Sequence, residues 1–202
     1  MVKFHYNKEI VKEHVSEMFE YITHVDKEKY RYWYEEASEW CRNFAKQYKL
    51  KHMPVMGVTA GLSPQCSWKQ NKLFVEAYYN GIEKHYKSQI AKCNRIDANY
   101  CYLGITDYNT NKKQIISYLG GKKTQSFFQN ILEPKKSKVV TIDRHMLIIA
   151  GISNKSLTVK QYNFLENIFQ ELANESNLLP LQYQAILWGF YRQENNLEEK
   201  YG

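Results

Sequence analysis

Apolar side chains return at helical spacing in one segment after another, and almost nowhere do they alternate. In KEIVKEHVSEMFEYI, the residues Ile10, Val11, Val15, Met18, Phe19 and Ile22 fall on one face of a helix. In DKEKYRYWYEEASEWCRNFAKQY the stripe runs through Tyr30, Trp33, Tyr34, Ala37, Cys41, Phe44 and Tyr48. It predicts one long helix, ended by the segment His52–Pro54. A short apolar run follows. Only SKVVTI, residues 137–142, has strand character, and it is too short to build a sheet. A chain so patterned is all-α, with about eight to ten short helices.

The helix ends are marked as well. Ser67 is placed as an N-cap for a helix turning Leu73, Phe74, Ala77 and Tyr78 inward. NTNKKQIISYLGG predicts a helix closed by glycine. KKTQSFFQNIL predicts the next, burying Phe127, Phe128, Ile131 and Leu132. Asp143 opens a short helix, and Thr158 with Gln161 forms a capping-box pattern for the one after it. Pro180 fits the first turn of a C-terminal helix.

Composition bounds what such a bundle does. The chain has 202 residues and 44% hydrophobic content, enough for one sizeable core or two small lobes sharing an interface. No apolar run approaches the roughly 18 residues that span a bilayer. The N-terminus MVKFHYNKEI lacks the apolar region of a signal peptide. Cys41, Cys66, Cys93 and Cys101 are scattered without a C-x-x-C, so they read as reduced thiols rather than disulfides, a zinc site or iron–sulfur ligands. The expectation is a cytoplasmic protein with no metal, no cofactor and no membrane partner. Lys and Arg number 28 against 21 Asp and Glu, a net +7 that favours a polyanionic partner. The 17 tyrosines suit base stacking as well as ordinary half-buried positions.

Two residues invite chemistry. Lys123 follows Gly120, Gly121 and Lys122 into the first turn of an apolar helix. A lysine that attacks carbon must lose its proton, and helix N-terminal charge and a neighbouring lysine both favour that loss. The same placement suits lysines that are solvated or that touch phosphate. Asp143, in TIDRHM, puts a carboxylate at a helix start. A fixed carboxylate stabilises an oxocarbenium-like transition state, and it also serves as a plain N-cap.

Taken together, these motifs resemble the helix-hairpin-helix DNA glycosylases. GKKT is similar to that family's G-x-K-[TV], which carries a catalytic lysine. IDRHM is similar to its V-D-x-H-[VM], which carries a catalytic aspartate. IDRHMLIIA looks most like the branch that excises oxidised guanine. Upstream, LSPQCSWKQNKL resembles the L-S-x-Q-x-x-D-x-x-V-N-K-A stretch of the endonuclease III branch, with Gln65 where a residue fills the gap left by an extruded base. Downstream, QYQAILW resembles W-A-Q-A-V-L-F, with Gln184 where a glutamine bonds the flipped base and Trp188 where an aromatic stacks on it. Their i, i+4 spacing shares one helix face. An amphipathic helix with Trp188 in the core gives the same pattern.

The resemblance covers roughly Val58 to Arg192 in matching order. It departs at the hairpin, where LGGKK is about two residues shorter than the family's L-P-G-V-G lead-in, and it lacks the C-terminal cysteine cluster of some members. It implies a single unit over residues 1–202 of two interleaved helical lobes around a central cleft, with the glycosylase-like core at about 54–194. The implied activity is a monomeric DNA N-glycosylase with AP-lyase activity that flips a modified or damaged base out of duplex DNA and excises it. Lys123 would act as nucleophile with Asp143 beside it. Gly120, Gly121, Lys122, Arg144 and His145 would contact DNA. Two other readings remain open: a compact phage-type relative acting on hypermodified bases, and a DNA-binding protein that keeps the fold without chemistry.

Overall fold

In the computed structural model the described residues are 7–92, 105–107, 109–153 and 156–197. They form eleven helices: α1 (Lys8–Tyr21), α2 (His24–Arg31), α3 (Trp33–Gln47), α4 (His52–Leu62), α5 (Trp68–Tyr79), α6 (Glu83–Lys92), α7 (Lys112–Tyr118), α8 (Lys122–Leu132), α9 (Arg144–Ile149), α10 (Val159–Glu175) and α11 (Pro180–Glu194). No strand occurs among the described residues, so the all-α class holds.

The helix count exceeds the expectation for two local reasons. The long helix predicted across residues 26–48 breaks at Tyr32 (φ −100°, ψ 13°). The break lets Tyr30 and Tyr34 enter different clusters of buried side chains. The apolar run after Lys51 is itself a helix, α4, buried on nearly every side. Pro54 is tolerated there because it lies in the first turn, where backbone N–H groups lack intrahelical partners.

Several caps stand where the sequence puts them. Ser67 and Gln70, and Thr158 and Gln161, form reciprocal capping boxes. The closure of α7 differs from expectation: its cap, Leu119, is extended (φ −75°, ψ 124°), and among described glycines only Gly81 and Gly151 have positive φ. Leu73 also differs, being 56% exposed. The inward stripe of α5 runs through Asn71 and Val75, both buried, and leaves Leu73 on the far side. Ile10 likewise points outward, while Val11 and Val15 carry the inner face of α1. Leu132 is only partly buried against the core.

The segment SKVVTI is neither helix nor strand, and its backbone pairs with side chains of α10. Val140 N donates to Glu166 Oε1 at 2.9 Å and Ile142 N to the Tyr162 hydroxyl at 3.0 Å. That hydroxyl donates to Val140 O at 2.6 Å, and Gln170 Nε2 donates to Lys138 O at 2.8 Å. Buried backbone groups need partners, and here one helix supplies them. The arrangement fixes the segment that delivers Asp143.

Two clusters of buried apolar residues meet along α11. Leu181 and Ala185 belong to the cluster built on α3, α4 and α8. Tyr183, Ile186, Leu187 and Phe190 belong to the one built on α1, α9 and α10. Helix α2 lies tightly against α11 at Gly189, where an added Cβ would stand 2.3 Å from a ring carbon of Tyr30. The Tyr30 hydroxyl is tied to Gln193 Oε1 at 2.7 Å, so the ring cannot simply swing away.

Gly189→Ala is therefore expected to lower unfolding free energy by about 1–3 kcal/mol through overpacking. Urea denaturation checks this; an unchanged midpoint would mean that the α2–α11 contact yields freely.

Candidate active site

A cleft of about 1290 Å³ opens beside α11. Its wall is assembled from loop and helix termini, which is why residues far apart in sequence converge there. The α4–α5 loop contributes Gln65, the N-terminus of α8 contributes Gly121, Lys122 and Lys123, and the start of α9 contributes Asp143, Arg144 and His145. Helix α11 contributes Gln184 and Trp188. Of the residues singled out from sequence, Gly120 alone does not border the cleft.

Asp143 is the most tightly held of these. As N-cap of α9, its Oδ1 accepts from His145 N at 2.9 Å and Met146 N at 3.0 Å. Its Oδ2 accepts from Trp188 Nε1 at 2.9 Å. Three N–H donors fix the carboxylate in one orientation. Lys123 is the second residue of α8 and half-buried. No side chain caps that helix through Gly121, so its N-terminal dipole adds to Lys122 and Lys123 at the cleft wall. Among the described residues, neither Lys123 nor Asp143 is in an ion pair.

His145 lies against Tyr191 with ring centroids 5.5 Å apart. Burial lowers its pKa; Asp143 opposes the shift, and Arg192, Lys123 and Arg144 add to it. The ring is thus mostly neutral at pH 7, and its Nδ1 is buried without a partner.

Gln184 is deeper, 3% exposed, and its Oε1 accepts from the Tyr34 hydroxyl at 2.5 Å. Trp188 has a different setting from an open stacking platform. The Arg192 guanidinium lies 4.6 Å over its ring and Trp33 packs 5.5 Å away. Its indole N–H is spent on Asp143. Gln65 stands exposed at the rim in left-handed backbone (φ 57°), a strained state for a non-glycine residue. The loop is held from behind: Gln89 Nε2 donates to Leu62 O at 2.9 Å and to Pro64 O at 2.5 Å.

The sequence reading missed Trp33, Tyr34, Trp68, Asn71 and Arg192, all of which line the cleft. Trp33 and Tyr34 were indistinguishable from core residues of an amphipathic stripe. Asn71 did carry a signal, because an asparagine one turn before Val75 is a polar residue on the buried face of α5. Among the described residues no group of three or more His, Cys, Asp or Glu could hold a metal ion. Cys41 and Cys66 are thiols outside any disulfide, and Cys93 and Cys101 lie outside the described residues. No helix among the described residues is long and apolar enough to cross a membrane.

Comparison with known proteins places the chain by family. A model of a family of unknown function, DUF7178, matches residues 3–195. The chain belongs to that family. No curated protein and no solved structure matches this DUF7178 member.

The Trp188–Asp143 bond can be measured as a coupling. A double-mutant cycle of Trp188→Phe and Asp143→Asn, followed by urea denaturation at pH 7, should give an interaction of about 0.5–3 kcal/mol. Asparagine retains the helix cap, so the cycle isolates the indole contact. Additive effects would show that the bond contributes nothing to holding the carboxylate.

Proposed function

We propose that this protein is a DNA N-glycosylase that flips a modified base out of duplex DNA and excises it. The observation that carries this reading is the convergence of Lys123 and a triply hydrogen-bonded Asp143 on one cleft, without an ion pair between them. A nucleophile and a charge-stabilising carboxylate need that separation, because the anomeric carbon must sit between them. The order of motifs along the chain supports it, as does the positive wall of Lys122, Lys123, Arg144 and Arg192.

In this mechanism the deprotonated amine of Lys123 attacks C1′. The glycosidic C–N bond breaks, its electrons leave with the base, and the base takes up a proton. Asp143 stabilises the cationic sugar as the bond lengthens. The Lys123–C1′ adduct opens to a Schiff base, from which β-elimination nicks the strand. Gln65, exposed at the rim on a braced loop, is placed to fill the gap in the duplex, offsetting part of the few kcal/mol that unstacking costs.

Gly121 supports a backbone grip there. Its backbone is extended (φ −145°) and an added Cβ would meet nothing within 4 Å, so neither strain nor the described packing requires glycine. Close approach of a phosphate to the helix N-terminus would. The turn from α7 to α8 is only Leu119, Gly120 and Gly121. The cleft exceeds the roughly 300–1,000 Å³ of ordinary small-molecule sites, which leaves room for a base bearing a substituent and favours hypermodified bases among the substrates.

Borohydride trapping against duplexes carrying different modified bases tests the reading; no adduct on any duplex would overturn it. Lys123→Gln should abolish trapping yet leave DNA binding largely intact. Asp143→Asn should slow single-turnover base release by about 10²–10³-fold, as loss of a preorganised charge partner does. Gln184→Ala should change which base is accepted more than the maximal rate. If Lys123→Gln still traps at the wild-type rate, Lys122 is the next nucleophile to test. Affinity should also fall steeply with salt, each phosphate contact adding roughly −0.9 to the log–log slope. A flat response between low and physiological salt would count against a nucleic-acid partner.

A further inference from the structure

Two buried amides beside the cleft are each satisfied on one side only. Asn71 is 2% exposed, and its Nδ2 donates to Thr59 O, near the C-terminal end of α4, at 3.1 Å. That bond fixes which way the amide faces. Its Oδ1 is buried and has no partner. Gln184 is 3% exposed, and its Oε1 is taken by the Tyr34 hydroxyl. Its Nε2 donates to no described residue. Burial keeps the Tyr34 hydroxyl protonated, and its proton is directed to Gln184 Oε1. That leaves the Gln184 N–H as the free arm.

Unpaired buried amide groups are costly, and a protein keeps few of them. Here Asn71 Oδ1 is such a group, and Gln184, whose Nε2 has no described partner, borders the same cleft. Aromatic rings line the same cleft. Trp33 lies 5.6 Å from Trp68 and 5.9 Å from Phe127, centroid to centroid. Asn71 is three residues beyond Trp68 on α5, hence on the same helix face. Tyr34, which orients Gln184, packs edge-on against Trp33 at 5.0 Å.

We propose that this corner of the cleft is a nucleobase subsite. Trp33 and Trp68 line it, Asn71 Oδ1 accepts from the base, and Gln184 Nε2 donates to it. The ligand class is a planar heterocycle with a hydrogen-bond donor and acceptor adjacent on one edge. This inference rests on the glycosylase reading only in taking the bound group to be the base that leaves. It adds Asn71, Trp33 and Trp68 as recognition residues, and it assigns Trp188 to holding Asp143 rather than to stacking. Because Asn71 Oδ1 is closed to water in this structure, entry of a base must shift a wall side chain. Three of the four tryptophans line the cleft, so that shift reads out as a change in fluorescence.

The experiment is a fluorescence titration of the full chain with N-methylated free bases, the methyl standing for the sugar. One arm compares 1-methylthymine with 1,3-dimethylthymine; the other compares 9-methyladenine with its N6,N6-dimethyl derivative. The arms separate a lactam edge from an amino edge, and within each arm only the donor is blocked. The expected result is saturable quenching by at least one parent base and binding at least tenfold weaker by its blocked partner. Asn71→Leu and Gln184→Met should each weaken the parent at least tenfold. The parent-versus-blocked comparison on wild type stands even if a variant fails to fold. Equal binding of parent and blocked bases, or no binding by any of the four up to millimolar concentration, overturns the proposal. Edge-selective binding with no trapped adduct on any duplex would leave the subsite standing and remove the glycosylase reading. Trapping without edge selectivity would do the reverse.

Discussion

Helix α11 must be buried on almost every side, and the rest of the molecule is arranged around that requirement. Ten of its residues, from Pro180 to Phe190, are buried. It serves two clusters of apolar side chains at once, so helices from both halves of the chain have to reach it. Its two buried glutamines each place the amide oxygen on a partner. Gln182 closes on Leu179 N at 3.1 Å, and Gln184 takes the Tyr34 hydroxyl. Gly189 gives up its side chain so that α2 can come against the helix. Displacing α2 would also disturb Trp33, just beyond the Tyr32 break.

The candidate site grows from the same helix. Trp188 and Gln184, one turn apart, face the cleft and bond to groups from distant segments. Asp143 thereby performs two structural tasks, capping α9 and receiving the indole N–H. Each also holds the carboxylate where a reacting centre could meet it. Structural and chemical explanations of Asp143 therefore describe the same three hydrogen bonds, and they separate only in what the carboxylate does to a bound substrate.

Much of the helical framework was legible in the sequence because its signals are local. Apolar spacing and cap residues act within a few positions of one another. Ser67 with Gln70 and Thr158 with Gln161 are examples. The errors came where a distant partner decided. Nothing near Tyr32 marks a break; the break follows from where Tyr30 and Tyr34 must go. Helix α4 has apolar residues all round, so it has no face to read. Leu73 is apolar and so predicts an inward position, yet the packed stripe carries Asn71 instead.

The sequence by itself determined the all-α class, most helix starts, and the order Gln65, Lys123, Asp143, Gln184, Trp188 along the chain. It could do so because periodicity and capping are one-dimensional. Only the tertiary structure decided that these residues share one cleft, and that Trp188 bonds Asp143. It also decided that Asn71 and Gln184 each keep one unpaired arm while lining the same cleft as Trp33. Those facts depend on through-space hydrogen bonds between segments as far apart as Tyr34 and Gln184, or Asp143 and Trp188. No local pattern encodes such a bond, because its geometry exists only once the helices have packed around α11.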